Sequence, residues 1–378
     1  MNLTAIKVLL ALAISSSVLP QSSSADMTVY AIGVGQGDSN IILCPNGKDI
    51  LIVDMGATRP IYVDKSYGTY LLKEKFGAVS KDMNIHIVIS HSHIDHYSFI
   101  TSALDEELIP LVSEVVLGGH YNNYGKSFKK WLSTNIENIY SVNNEQSCFG
   151  NTDCGWTPVS TVSGNVANAT SSKSTLSRKR DPWQVCGSEV DIKVLGANIG
   201  TTPNSRSVIL KIVYKKWSLL LSGDFEGVTA QKKLWEKWQN STLQSTYYKM
   251  AHHGAWTDFK ANLPALLARV QPRRVYISQG YPEISQYRHP NCEAIQNLQE
   301  IGTIDHVNAN VNKPFVCWSG DSKEGFSVVK HGLNLAIYET CRKYDSRAEK
   351  QTCQDIMIQT DGRNDHTQYV DIPSQFVR

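Results

Sequence analysis

The sequence predicts an α/β fold in which two sheets pack together with helices outside them, and three observations support this. Strand-like runs come in antiparallel groups, and helix-like stretches separate those groups. The composition, 41% hydrophobic and 19% charged, is that of a globular chain. Of 378 residues, a leader of about 25 is set aside, leaving room for one large domain or two small ones.

The elements follow in order. Met27 to Val34 and Ser39 to Cys44 read as strands, and Asn46-Gly47 turns the chain into a third at Ile50 to Val53. A helical stretch, Tyr67 to Phe76, leads to the apolar run Ile85 to Ile89, suited to a buried strand. A polar loop from His91 to His96 opens a helix over Tyr97 to Leu104; Ser113 to Leu117 is a strand and Lys126 to Leu132 is helical. Residues 143 to 187 are rich in Ser, Thr, Asn and Gly and read as a long surface insertion pinned by disulfide. Strands resume at Val190 to Leu195, and Ser207 to Tyr214 pairs with Trp217 to Ser222 around Lys215-Lys216. Helices at Thr229 to Trp238, Leu263 to Val270 and Cys292 to Glu300 then alternate with strands at Thr246 to Met250 and Arg274 to Ser278. No internal repeat is present.

The leader sets the compartment. One positive charge in Met1 to Lys7, a short apolar run from Val8 to Leu19 and the small residues Ser23-Ser24-Ala25 form a signal-peptide pattern over 1–25. No segment is long and apolar enough to span a bilayer, so the expectation is a secreted, extracellular protein without stable membrane association. Eight cysteines agree with export. Spacing favours the local pairs Cys148–Cys154 and Cys341–Cys353; Cys186 takes either partner in its region, and Cys44 reads as simply buried. Asn168 and Asn240 begin glycosylation sequons. The 37 basic less 35 acidic residues give +2, which excludes a bulk basic field, so attraction to a polyanion requires a local patch.

The chemistry concentrates in His91-Ser-His93-Ile-Asp95-His96. His91 and His93 alternate in an extended segment and project to one side, and Asp95 and His96 follow at a helix start facing the same cleft. Three imidazoles and a carboxylate suit zinc or a similar transition metal. Three strands end in complementary residues: Asp54 in Asp-Met-Gly56, an orienter for a ligand histidine; Asp224 in Ser-Gly-Asp224, able to bridge two metals; and His252-His253-Gly254.

This order of motifs resembles the metallo-β-lactamase fold superfamily, and in detail the C-terminal hydrolase domain of the bacterial competence protein ComEC. The matching stretches are Val34-Gly-Gln-Gly-Asp38, Val53-Asp54-Met-Gly56, Ser90 to His96, Ser207 to Tyr214, Leu221-Ser-Gly-Asp224, His252-His-Gly254 and Arg288-His-Pro290, spread from about residue 28 to 318. The resemblance implies a four-layer αββα sandwich over 26–330, with 331–378 as a disulfide-pinned C-terminal extension. It implies that His91 and His93 ligate one metal, Asp95 and His96 the second, that Asp224 bridges them, and that His252 or His253 completes the second site. It departs from the ComEC-like pattern at Gly33, Met55 and Ala255, where Asp, Thr and Ser are usual. The extra histidine that many superfamily enzymes place before the bridging aspartate is absent, His120 being a weak candidate.

The implied function is a secreted metal-dependent hydrolase, a phosphodiesterase or nuclease, using one or two Zn2+ ions, with Mn2+ as a substitute. Asp95 or Asp224 orients the nucleophile or takes its proton; His289, before Pro290, donates to the leaving group or binds substrate. Lys249, Arg206, Arg273, Arg274 and Arg288 are the cations available to meet phosphates. The alternatives are hydrolysis of carboxylic esters, thioesters or lactams on the same centre, or a secreted binding or matrix protein with a degenerate site. The partner is accordingly a small-molecule or nucleic-acid substrate, and the oligomeric state is left open.

Overall fold

The structure, a computed structural model, describes residues 26–78, 82–142, 147–151, 154, 156–159, 185–256, 260–280, 289–307, 315–318, 326–329, 335–342 and 352–378. The leader, the Asn168 sequon, most of the insertion and Arg288 lie outside the described residues.

Two sheets face each other. In the first, the strands run in the order Cys341–Arg342, Thr352–Thr360, Met27–Ala31, Ser39–Leu43, Asp49–Met55, Asn84–Ile89, Val112–Leu117, Ile139–Val142, Trp156–Pro158, with Asp365–Asp371 also pairing with Thr352–Thr360. In the second the order is Val190–Gly196, Ile209–Tyr214, Trp217–Leu221, Tyr247–Lys249, Arg274–Ile277, Ile337–Glu339. Alternation along each strand sends side chains to opposite faces. Leu51, Val53, Val88 and Val116 point inward and pack with Leu210, Ile212 and Leu219 of the facing sheet. Ile50, Ile52, Ile87 and Ile89 point outward and pack under Tyr67, Leu71, Ile100, Phe128 and Leu132. The outer face of the second sheet is covered by Val228–Lys237, Pro264–Val270 and Cys292–Glu300, through Leu234, Leu267 and Leu298. The architecture is the four-layer αββα sandwich.

Some elements differ from expectation. The helix expected over Tyr97 to Leu104 shrinks to Ile100–Ala103, because the chain first makes a 3-10 turn at Ile94–His96. Residues read as a C-terminal extension supply strand Thr352–Thr360, which pairs antiparallel with Met27–Ala31 inside the first sheet. Cys44 is bonded to Cys186 rather than merely buried, because the end of the hairpin strand lies against the segment leading into the second sheet. Cys148–Cys154 and Cys341–Cys353 pair as expected, and Cys292–Cys317 completes the set. These four bonds are consistent with an extracellular protein. No helix among the described residues is long and apolar enough to cross a membrane.

Topology positions the site. Asp49–Met55, Asn84–Ile89 and Val112–Leu117 run parallel, as do Trp217–Leu221, Tyr247–Lys249 and Arg274–Ile277. The sequence motifs follow the carboxyl ends of these strands, where α/β sheets place ligands. Close backbone approach fuses the motifs: a Cβ on Gly37 would lie 2.3 Å from Gly56 O, so only glycine brings Asp38 beside the Asp54 loop.

Candidate metal centre

Asp224 is the hub. It is buried, and its Oδ2 faces four imidazole Nε2 atoms: His96 at 3.2 Å, His253 at 3.5 Å, His252 at 3.8 Å and His91 at 3.9 Å. His93 packs its ring 4.7 Å from that of His91, and Asp95 Oδ2 lies 3.6 Å from His253 Nε2. Each candidate from the histidine motif therefore reaches this cleft. Two donor groups form around the shared aspartate, one of His91, His93 and Asp224 and one of Asp38, His96, Asp224 and His253.

The histidines are held from behind. His96 Nδ1 contacts Asp54 Oδ2 at 2.9 Å, His253 Nδ1 contacts Ser278 O at 2.7 Å, and His91 Nδ1 contacts Ser90 Oγ at 3.1 Å. The acceptors at Nδ1 of His96 and His253, a carboxylate and a carbonyl, fix the tautomer whose lone pair sits on Nε2. The Nε2 atoms of His91, His96 and His253, with Asp224 Oδ1, are buried and make no hydrogen bond of acceptable geometry. Buried polar atoms left so are rare in folded proteins. The three imidazole nitrogens converge on Asp224 Oδ2, an N/O donor arrangement that fits a transition-metal ion.

Electrostatics agree. Burial pushes the Asp224 carboxyl up, but the His253, His96 and His252 imidazoles hold it well below the usual carboxylate range. Burial and neighbouring His96 keep His91 well below the usual imidazole value, hence neutral and able to ligate. Burial opposes protonation of His253, yet Asp224 and Asp38 raise it to about 10. The carboxylates thus draw protons onto imidazoles in the protein alone, and binding of a divalent cation there would release them.

Asp38 was given no role by its motif, and Lys249, expected to meet a substrate phosphate, instead pairs with Asp38 behind the histidines. Asp38 lies 3.7 Å from His96 Nδ1 and 3.9 Å from His253 Nδ1, on the side of those rings turned from Asp224. Its Oδ2, the oxygen nearer His96, is taken by the Lys249 ammonium, which also donates to Gly223 O at 3.0 Å. We therefore read Asp38 as a charge behind the ligands rather than a ligand, although its distance alone admits it to the second donor group. The Gly-Gln-Gly-Asp38 motif was the available signal.

Other candidates resolve individually. His252 Nδ1 contacts the buried Glu226 carboxylate at 2.7 Å, and the His289 ring lies 5.2 Å from that of His252. The backbone makes this possible through consecutive left-handed residues, His252 at φ 49° and His253 at φ 53°, a costly conformation typical of functional sites. His120 Nδ1 accepts from Asn122 N and caps a turn. Three cations expected at the phosphate are committed to protein partners. Lys249 is 1% exposed and internal. Arg273 and Arg274 stand at the amino end of Arg274–Ile277, opposite the site, bound to Asp305, Asp365 and the Tyr247 hydroxyl.

No family model matches the chain, and no curated protein matches it. Among solved structures, the diiron β-hydroxylase CmlA from Streptomyces venezuelae aligns with a TM-score of 0.39 at 12% identity, over 74% of this chain and 52% of that one. A variant of CmlA aligns at 0.36 and 11%, over 68% and 46%. A protein of unknown function from Enterococcus faecalis V583 aligns at 0.30 and 11%, over 74% and 63%. The chain thus spans about half the length of CmlA. Below a TM-score of 0.5, such likenesses say nothing about chemistry, which is read from the residues.

Proposed function

We propose that the chain is a secreted metal-dependent hydrolase that cleaves phosphodiesters, with His91, His93 and Asp224 holding one ion and Asp95, His96, Asp224 and His253 a second. The observation that carries this reading is that Asp224 belongs to both donor groups, as two-metal phosphodiesterase chemistry requires. The ions, zinc or manganese, would supply water activated near neutral pH and polarise the scissile oxygen.

The chain's own groups do the rest. Asp54 and Ser278 O keep the Nε2 atoms of His96 and His253 aimed inward. His252, whose Nδ1 is held by Glu226, turns its Nε2 toward Asp224 and would pass a proton to or from the reacting groups there. His289, whose ring lies 5.2 Å from that of His252, would contact the leaving group. Asp95, next to His253, orients the attacking water. The motif resemblance to the ComEC hydrolase domain supports a phosphodiester substrate.

One observation favours a second reading, hydrolysis of carboxylic esters, thioesters or lactams. Lys249, Arg273 and Arg274 are committed within the fold and do not serve a phosphate. The test uses protein stripped with EDTA and reloaded with zinc, assayed on bis(p-nitrophenyl) phosphate, a single-stranded oligodeoxynucleotide and p-nitrophenyl acetate. Zinc-dependent cleavage of either phosphodiester supports the proposal. Ester hydrolysis alone moves the protein to the second reading, and no zinc-dependent turnover overturns both.

A further inference from the structure

Adjacent His252 and His253 differ in how their Nε2 atoms are treated, and the difference traces to Asn204. His253 Nε2 is buried without a hydrogen bond. His252 Nε2 instead meets Asn204 Nδ2 at 3.4 Å, a long contact between two nitrogens. Because His252 Nδ1 is turned to the Glu226 carboxylate at 2.7 Å and donates there, Nε2 carries the lone pair, and the amide nitrogen is the end of Asn204 that can face it. Yet His252 Nε2 is only 3.8 Å from Asp224 Oδ2, close enough to join the ligands after a small movement.

Asn204 is itself firmly seated. It begins the turn Asn204–Arg206, which is fastened by Thr202 N to Ser205 Oγ at 2.9 Å and Ser205 N to Thr202 Oγ1 at 3.1 Å. The same loop is tied to the site by Asp224 N donating to Ser207 Oγ at 3.2 Å and by Val208 N donating to Ser90 O at 2.9 Å. The residue is 8% exposed, and its Oδ1 is buried without a hydrogen-bond partner. A carboxamide whose oxygen is left unsatisfied carries a desolvation penalty, so fold stability does not explain an amide here.

We propose that Asn204 assigns different roles to the two histidines: its carboxamide occupies His252 Nε2 and keeps it out of the metal's ligand set, so that His253 is the ligand and His252 is not. This rests on the metal-binding part of the proposed function but not on any substrate. Asn204 is a positioning residue, acting through His252.

The test is the visible absorption spectrum of Co2+-loaded protein, which reports the number and kind of ligands without requiring turnover. Wild type and His252→Ala should give the same bands. Asn204→Ala should shift them as His252 enters the coordination shell, and the double variant Asn204→Ala/His252→Ala should restore the wild-type bands. Asn204→Ser, which keeps a polar group of smaller reach, serves where the alanine variant does not fold, with the same shift expected. A spectral change in His252→Ala alone shows that His252 is already a ligand and overturns the proposal. So do unshifted bands in both Asn204 variants. Failure of wild type to bind Co2+ at all overturns the metal reading itself, a result distinct from either.

Discussion

His96 Nδ1 lies 2.9 Å from the Asp54 carboxylate, and this contact turns His96 Nε2 to within 3.2 Å of Asp224 Oδ2. The second Asp54 oxygen accepts from Ser90 N at 2.6 Å, so one carboxylate orients the ligand and closes the strand end from which His91 departs. Asp54 does this from a left-handed backbone conformation, φ 58°. Replacing it with Asn removes the charge that makes His96 a strong donor. Zinc affinity, measured by competition with a chromophoric chelator, should fall about 10- to 100-fold.

Asp224→Ala removes the group shared by both donor sets. Turnover of whichever ester the enzyme accepts should fall at least ~100-fold, the scale of losing a principal electrostatic stabiliser. Ser92→Ala, between the two histidines, should cost little. Equal losses in steady-state assays of the two variants would show the loop to be misread.

Lys249 and Asp38 form a buried pair, each 1% exposed. Lys249→Met leaves the Asp38 carboxylate without its cation, which should destabilise the fold by about 3–5 kcal/mol. Urea unfolding checks this, and Lys249→Met with Asp38→Asn should recover part of the loss, since no unpaired charge is then buried.

Gly33, where ComEC-like sequences usually have Asp, has no room for a side chain: a Cβ would stand 2.9 Å from Gln354 O. Its N–H donates instead to buried Asp355, which also accepts from the Tyr67 hydroxyl at 2.6 Å. Burial pushes Asp355 up to about 7 from an ordinary 3.8, against the lowering by these two donors. The folded state therefore holds a proton that the unfolded chain has lost between those values. This contribution is full below about pH 4, declines as pH rises toward 7 and is gone above it, on the order of 4 kcal/mol in all. Asp355→Asn should flatten stability against pH across that window in chemical denaturation.

Legibility followed sequence distance. The histidine motif, Asp54, Asp224 and the His252-His253 pair were readable because each terminates a local apolar strand, and the hairpin at Asn46-Gly47 and the helix Cys292–Glu300 carry their own turn and periodicity signals. Long-range partners carry no such signal. Lys249 reads as a cation for a substrate phosphate until the sandwich brings Asp38, 211 residues away, beneath it. Arg273 and Arg274 lie close in sequence to the site motifs but at the wrong end of their strand. Cys44–Cys186 spans 142 residues, and Thr352–Thr360 enters the first sheet beside its earliest strand. Asn204 was passed over because an asparagine in a Ser/Thr-rich turn usually serves only the turn.

Elemental analysis of gently purified, zinc-supplemented mature protein tests the metal centre most directly. One or two zinc ions per chain are expected, with Asp224→Ala depleted; a folded wild-type protein carrying no transition metal would contradict the centre on which the proposed chemistry depends.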